Sequence, residues 1–163
     1  MATILTALAL ALPSFVLWNL IHETSHALFA QRLAGAVTRI KPWPHRVPPN
    51  GSWVFAATYY DSIDKKLLAL PRRRFWISLA PRIPDAVACL LVPVGLFLDG
   101  PWQAAWFVLL GAGAVDNIVG IIGASENSDL KKAANAYGWN PWLLRLVTAI
   151  PLILLAAALT LLA

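Results

Sequence analysis

The sequence predicts an all-α polytopic membrane protein of four transmembrane helices, with a short cytoplasmic β-hairpin between the first two. Three observations carry that expectation. Hydrophobic residues make up 59% of the 163 residues and charged residues only 13%, against about 45–50% and about 25% in soluble domains. Mean hydropathy is +0.65. Four stretches reach the roughly 20 apolar residues that a spanning helix needs. A single domain over 1–163 cannot bury so much apolar surface, so the surplus must face a medium other than water. This composition excludes an ordinary soluble globule and a disordered chain. The lone Cys89 excludes a disulfide framework and a zinc site built on several thiolates.

The expected spans cover residues 2–33, 75–98, 102–123 and 142–162. The first has no basic residue before Arg32 and exceeds the apolar core of a signal peptide, so it reads as retained. Only Asp99, Gly100 and Pro101 separate spans two and three, which predicts an antiparallel pair. Arg32, Arg39, Lys41, Arg46, Lys65, Lys66 and Arg72 to Arg74 lie between spans one and two. Lys131, Lys132 and Arg145 follow span three, on the same side. The positive-inside rule puts that side in the cytoplasm and both termini outside it. The expected location is a cell membrane, the inner membrane of a prokaryote. The net charge of +5 then serves anionic head groups, and no nucleic-acid partner is expected. Trp76, Trp139 and Trp142 would mark the cytoplasmic interface, and Trp102 and Trp106 the opposite one.

The connection over 34–74 is long. Ala36 to Lys41 alternates like a strand, and Ser52 to Tyr60 is rich in β-branched and aromatic residues. Pro42, Pro44, Pro48, Pro49, Asn50 and Gly51 form the break between them. Residues 61–70 read as a short amphipathic piece.

The chemistry-bearing signal is His22-Glu23-Thr24-Ser25-His26, an HExxH. Residues i and i+4 share a helix face, so His22 and His26 can offer imidazole nitrogens to one zinc ion. Glu23 is turned about 100° away, which suits a carboxylate that takes a proton from water rather than a ligand. Ionisable residues inside a membrane helix are costly and mark function. His45, in the Pro-rich loop, reads as a surface residue.

A catalytic zinc needs a third protein ligand. Asp116 and Asp85 match the histidines in depth, whereas Asp129 falls beyond span three. Gly113 and Gly120 lie on the same face as Asp116, which predicts a close helix contact there. Asp85 has Arg82 three residues before it as a ready partner, beside the bend expected from Pro81 and Pro84. Asp116 is favoured, with Asp85 and Asp129 left open.

With these residues the chain resembles the site-2 protease class of intramembrane zinc metalloproteases. In that class an HExxH on the first core helix and an aspartate on the third complete the zinc site, the roles matched by His22, Glu23, His26 and Asp116. Ile77-Ser78-Leu79-Ala80-Pro81, Gly113-Ala114-Val115-Asp116-Asn117 and Ser128-Asp129-Leu130-Lys131-Lys132-Ala133 are similar to stretches of membrane-embedded zincin-like proteins. Here the aspartate stands in Ala-Val-Asp-Asn-Ile rather than in Leu-Asp-Gly. The resemblance implies Zn2+ as cofactor, Glu23 as catalytic base and a membrane-protein or membrane-associated peptide as substrate. It also implies that substrate adds as a strand to Ser52–Tyr60, through Phe55 and Ala57. Asn117 is a lesser candidate for binding the substrate backbone. A membrane zinc transporter or sensor would use the same ligands without needing Glu23. A proteolytically silent scaffold of protease ancestry would tolerate loss of the motif.

Overall fold

In a computed structural model of the chain, which describes residues 2–47, 52–54, 56–61, 65–123 and 128–162, four helices are long and apolar enough to cross a membrane. They cover Thr3–Ala34, Pro71–Phe97, Gly100–Ile122 and Pro141–Leu162. The first is the helix α1 (Ala2–Ala34). Its outward residues, among them Ile4, Leu8 and Leu12, are exposed apolar side chains, as a lipid-facing surface requires.

After Gly35, in the left-handed conformation, the chain enters four short strands. They are β1 (Val37–Lys41), β2 (His45–Val47), β3 (Ser52–Val54) and β4 (Ala57–Asp61). β1 pairs antiparallel with β4, Ile40 opposite Thr58, and β2 with β3, Arg46 opposite Trp53. The expected pair of long strands is therefore split into two nested pairs. Proline supplies no ladder N–H, and Pro42 and Pro44 interrupt the first strand, so pairing resumes only at His45. Residues 48–51 and Phe55 lie outside the described residues.

The short helix α2 (Lys65–Ala69) leads into the second span, which begins at Pro71, before the expected residue 75. It consists of α3 (Pro71–Leu79), α4 (Arg82–Leu91) and a 3-10 turn (Val92–Phe97). Ala80 and Pro81 join α3 to α4 with right-handed helical dihedrals, so the axis bends without the chain leaving the helix. Pro84 sits in the first turn of α4, where no N–H is needed. Leu98 and Asp99 then connect to α5 (Gly100–Ile122).

A Cβ at Gly113 would run into the Trp18 ring and Ala88, and one at Gly120 into the Arg82 guanidinium. The expected glycine face is therefore a close contact of α5 with α1 and α4.

Beyond α5 lies an element the sequence reading did not foresee, α6 (Asp129–Tyr137), which precedes α7 (Pro141–Leu162). α6 packs against α3. Leu130, Ala133 and Ala134 of α6 share a core with Phe75 and with Leu144 of α7. Rings of Phe75, Tyr137 and Trp139 meet at 5.3–5.6 Å and fix this packing. Gly138 ends α6 in the left-handed conformation, and the N–H of Trp139 returns to Ala134.

Candidate metal centre

α1 carries His22, Glu23 and His26 where it meets α3, α5, α6 and β4. His22 and His26 lie one turn apart, with ring centroids separated by 5.2 Å. Each ring commits its Nδ1 to a different acceptor.

The Nδ1–H of His26 donates to the Ile77 carbonyl at 2.7 Å. That carbonyl is free for a reason visible in the chain. In a continuous helix it would accept the N–H of residue 81, and residue 81 is proline. The bend at Pro81 thus supplies the acceptor that orients His26.

The Nδ1–H of His22 donates to Asp116 Oδ2 at 2.8 Å. The same carboxylate oxygen lies 3.3 Å from Arg82 Nη2. Arg82 Nη1 pairs with Asp85 Oδ2 at 2.8 Å and reaches the Asp116 carbonyl at 3.0 Å. Trp18 Nε1 donates to the other Asp85 oxygen at 2.8 Å. The expected Arg82–Asp85 pair is present and continues into a buried network joining α1, α4 and α5.

With both Nδ1 atoms committed, each ring turns its Nε2 toward Asp129 Oδ2, at 3.2 Å from His22 and 3.4 Å from His26. Three acceptor atoms cannot share that space unless a proton or a cation lies between them. Tetrahedral zinc, with bonds of about 2.0–2.2 Å to nitrogen and oxygen, sets its ligands about 3.3 Å apart. These two separations match that edge. Arg82 pairs with Asp85 and Asp116, and Lys132 Nζ lies 3.9 Å from Asp129 Oδ1. Burial alone would raise the Asp129 carboxyl, but hydrogen bonding to His22 and His26 outweighs it and holds the group well below its ordinary range.

Asp129 was expected to lie beyond span three, too shallow to be a ligand unless the chain folds back after Gly123. The fold-back of α6 onto α3 removes that objection, because it brings the first residue of α6 against the HExxH turn. Asp116, the expected third ligand, reaches the opposite nitrogen of the His22 ring. His22, Asp85 and Asp116 form a second close grouping, but the Arg82 guanidinium is paired with both of its carboxylates.

Glu23 points elsewhere, as its offset predicts. Its Oε2 lies 2.7 Å from Thr58 Oγ1 on β4, and the same hydroxyl lies 2.8 Å from the Glu23 carbonyl. Tyr60 falls on the Thr58 face of β4, since alternate strand residues point the same way. Burial, and then the negative charges of Glu23 and Asp129, push the Tyr60 phenol above its ordinary value.

The remaining candidates sit apart. Asn117 is 1% exposed, and its amide donates to the Thr148 carbonyl of α7 at 3.2 Å, which is a helix-packing contact. Ala57 pairs with Lys41 at the end of the β1–β4 ladder. Phe55 lies outside the described residues. His45 is bonded to Tyr59 Oη and the Trp43 carbonyl within the strand region.

Thr58 and Tyr60 were not singled out by sequence reasoning beyond their place in the Ser52–Tyr60 strand, and Asp129 was weighed as a ligand behind Asp116 and Asp85. One signal was available for α6. Ser128 stands before a run with Leu130, Ala133 and Ala134 at helical spacing, and Gly138 follows it. The chain matches no protein-family model, no curated protein and no solved structure.

Proposed function

We propose that this membrane protein is a zinc-dependent endopeptidase of the site-2 protease type. It hydrolyses peptide bonds of membrane or membrane-associated substrates. His22, His26 and Asp129 hold the metal, with Asp129 in the role first expected of Asp116. The observation that supports this most is the convergence of two imidazole Nε2 atoms on one carboxylate oxygen, with both Nδ1 atoms already committed.

A zinc ion held there supplies Lewis acidity to the scissile carbonyl and acidifies water. Glu23 accepts a proton from the attacking water and returns it to the leaving amine. Thr58 fixes the Glu23 carboxylate for that exchange. The protonated Tyr60 phenol donates to the carbonyl oxygen as charge builds on it. Asp116 and the Ile77 carbonyl hold the two rings in register, the support that metal-binding histidines require.

β1 and β4 form a two-stranded ladder among the described residues, so each keeps one free edge for an extended peptide. The one-sided basic residues orient the protein with both termini outside the cytoplasm, in the inner membrane of a prokaryotic cell, and the metal centre toward the cytoplasm.

Comparing membrane proteins in cells carrying the active chain and Glu23→Gln tests this reading. The expected result is an uncleaved membrane protein that accumulates in the variant, while the purified variant keeps its zinc. A Glu23→Gln variant with unchanged cleavage overturns the mechanism. Metal flux that survives Glu23→Gln, with no protein accumulating, favours a transporter.

A further inference from the structure

A second site lies where α1 ends and α3 begins. Phe29, Arg32 and Leu33 occupy one face of the last turns of α1, and Arg72, Arg73 and Trp76 the first turns of α3. Together they line a cavity of about 620 Å³. Three of its six lining residues are arginines, and none of the six is acidic. Among the described residues, Arg32, Arg72 and Arg73 make no hydrogen bond or ion pair, although Arg82 makes several. The first turn of α3 carries no acidic residue either. Three neighbouring cations repel one another, and an anion relieves that repulsion.

The position of the cavity says what kind of anion. The two elements are the adjoining ends of membrane-spanning helices, so the arginines stand at the level of lipid head groups. Trp76 is exposed there, as interfacial tryptophans are. Phe29, Leu33 and Trp76 give the cavity an apolar wall beside its charged rim.

We propose that this cavity binds the head group of an anionic phospholipid. Guanidiniums engage the phosphate oxygens in their paired geometry, and an acyl chain runs along Phe29, Leu33 and Trp76. A zwitterionic lipid fits less well, because its own ammonium already balances the phosphate. The site is separate from the metal centre and does not depend on the peptidase reading.

The test uses the full chain in micelles, with bound lipid read by native mass spectrometry against phosphatidylglycerol and phosphatidylcholine. The wild type should retain one phosphatidylglycerol with a preference of at least about tenfold. Arg32→Gln, Arg72→Gln and Arg73→Gln combined should remove the preference. Arg39→Gln, Lys66→Gln and Arg74→Gln combined removes equal charge from the same side and should keep it. Equal loss in both triple variants overturns the proposal in favour of diffuse surface attraction. Capture of inorganic phosphate by the wild type, with displacement of phosphatidylglycerol, overturns it in favour of a soluble anion. Should the first triple variant not fold, Arg73→Gln alone and the phosphate competition on the wild type decide in the same way.

Discussion

His26 donates its Nδ1 proton to the Ile77 carbonyl across 2.7 Å because Pro81 offers that carbonyl no N–H. The proline that bends the second span is thus also what orients the His26 ring. Pro81→Ala restores an N–H that competes for the carbonyl. It should weaken zinc binding about 10-fold or more, the usual cost of losing the partner of a histidine ligand. Chelator competition on the purified variant measures this. Unchanged affinity would show that the bend serves packing alone.

Thr58 ties β4 to Glu23. Its hydroxyl bonds a charged acceptor, a contact worth about 1.5–3 kcal/mol, so Thr58→Val should lower kcat about 10- to 100-fold. KM and zinc content should stay near the wild type. Thr58→Ser keeps the hydroxyl and should recover most of the rate. A Thr58→Ser variant as slow as Thr58→Val would assign Thr58 to strand packing.

The spans, the HExxH and the Arg82–Asp85 pair were legible because each rests on local spacing. Gly113 and Gly120 correctly announced a close face, and that contact also receives Arg82. The position of Asp129 was not legible from depth along the chain. Depth counts residues from the end of a span, and α6 reverses direction after α5. What turns it back is tertiary, the packing of Leu130, Ala133 and Ala134 against Phe75 and Leu144. The long second strand was overread for a related reason. Its own residues favour a strand, but the prolines opposite it remove the ladder partners.

Asp85 is fully buried between Arg82 and Trp18. Removing one partner of a buried ion pair costs about 3–5 kcal/mol, since the other charge stays behind. Asp85→Ala should therefore lower the melting temperature of the detergent-solubilised protein markedly while zinc still binds. Loss of zinc with an unchanged melting temperature would make Asp85 a ligand.

Tyr60→Phe removes a donor and leaves the ring. It should reduce kcat about 10- to 100-fold without loss of zinc, on the scale of lesser transition-state donors. Steady-state rates on any cleaved peptide read this directly, and an unaltered rate would take Tyr60 out of the chemistry.

The ligand set is decided by zinc per chain in wild type, Asp129→Ala and Asp116→Ala, measured by mass spectrometry of the purified proteins. The predicted result is about one zinc in the wild type and almost none in Asp129→Ala. Asp116→Ala should still load at high zinc, with affinity lowered through His22. A fully loaded Asp129→Ala beside an empty Asp116→Ala would contradict the assignment and return the third ligand to α5.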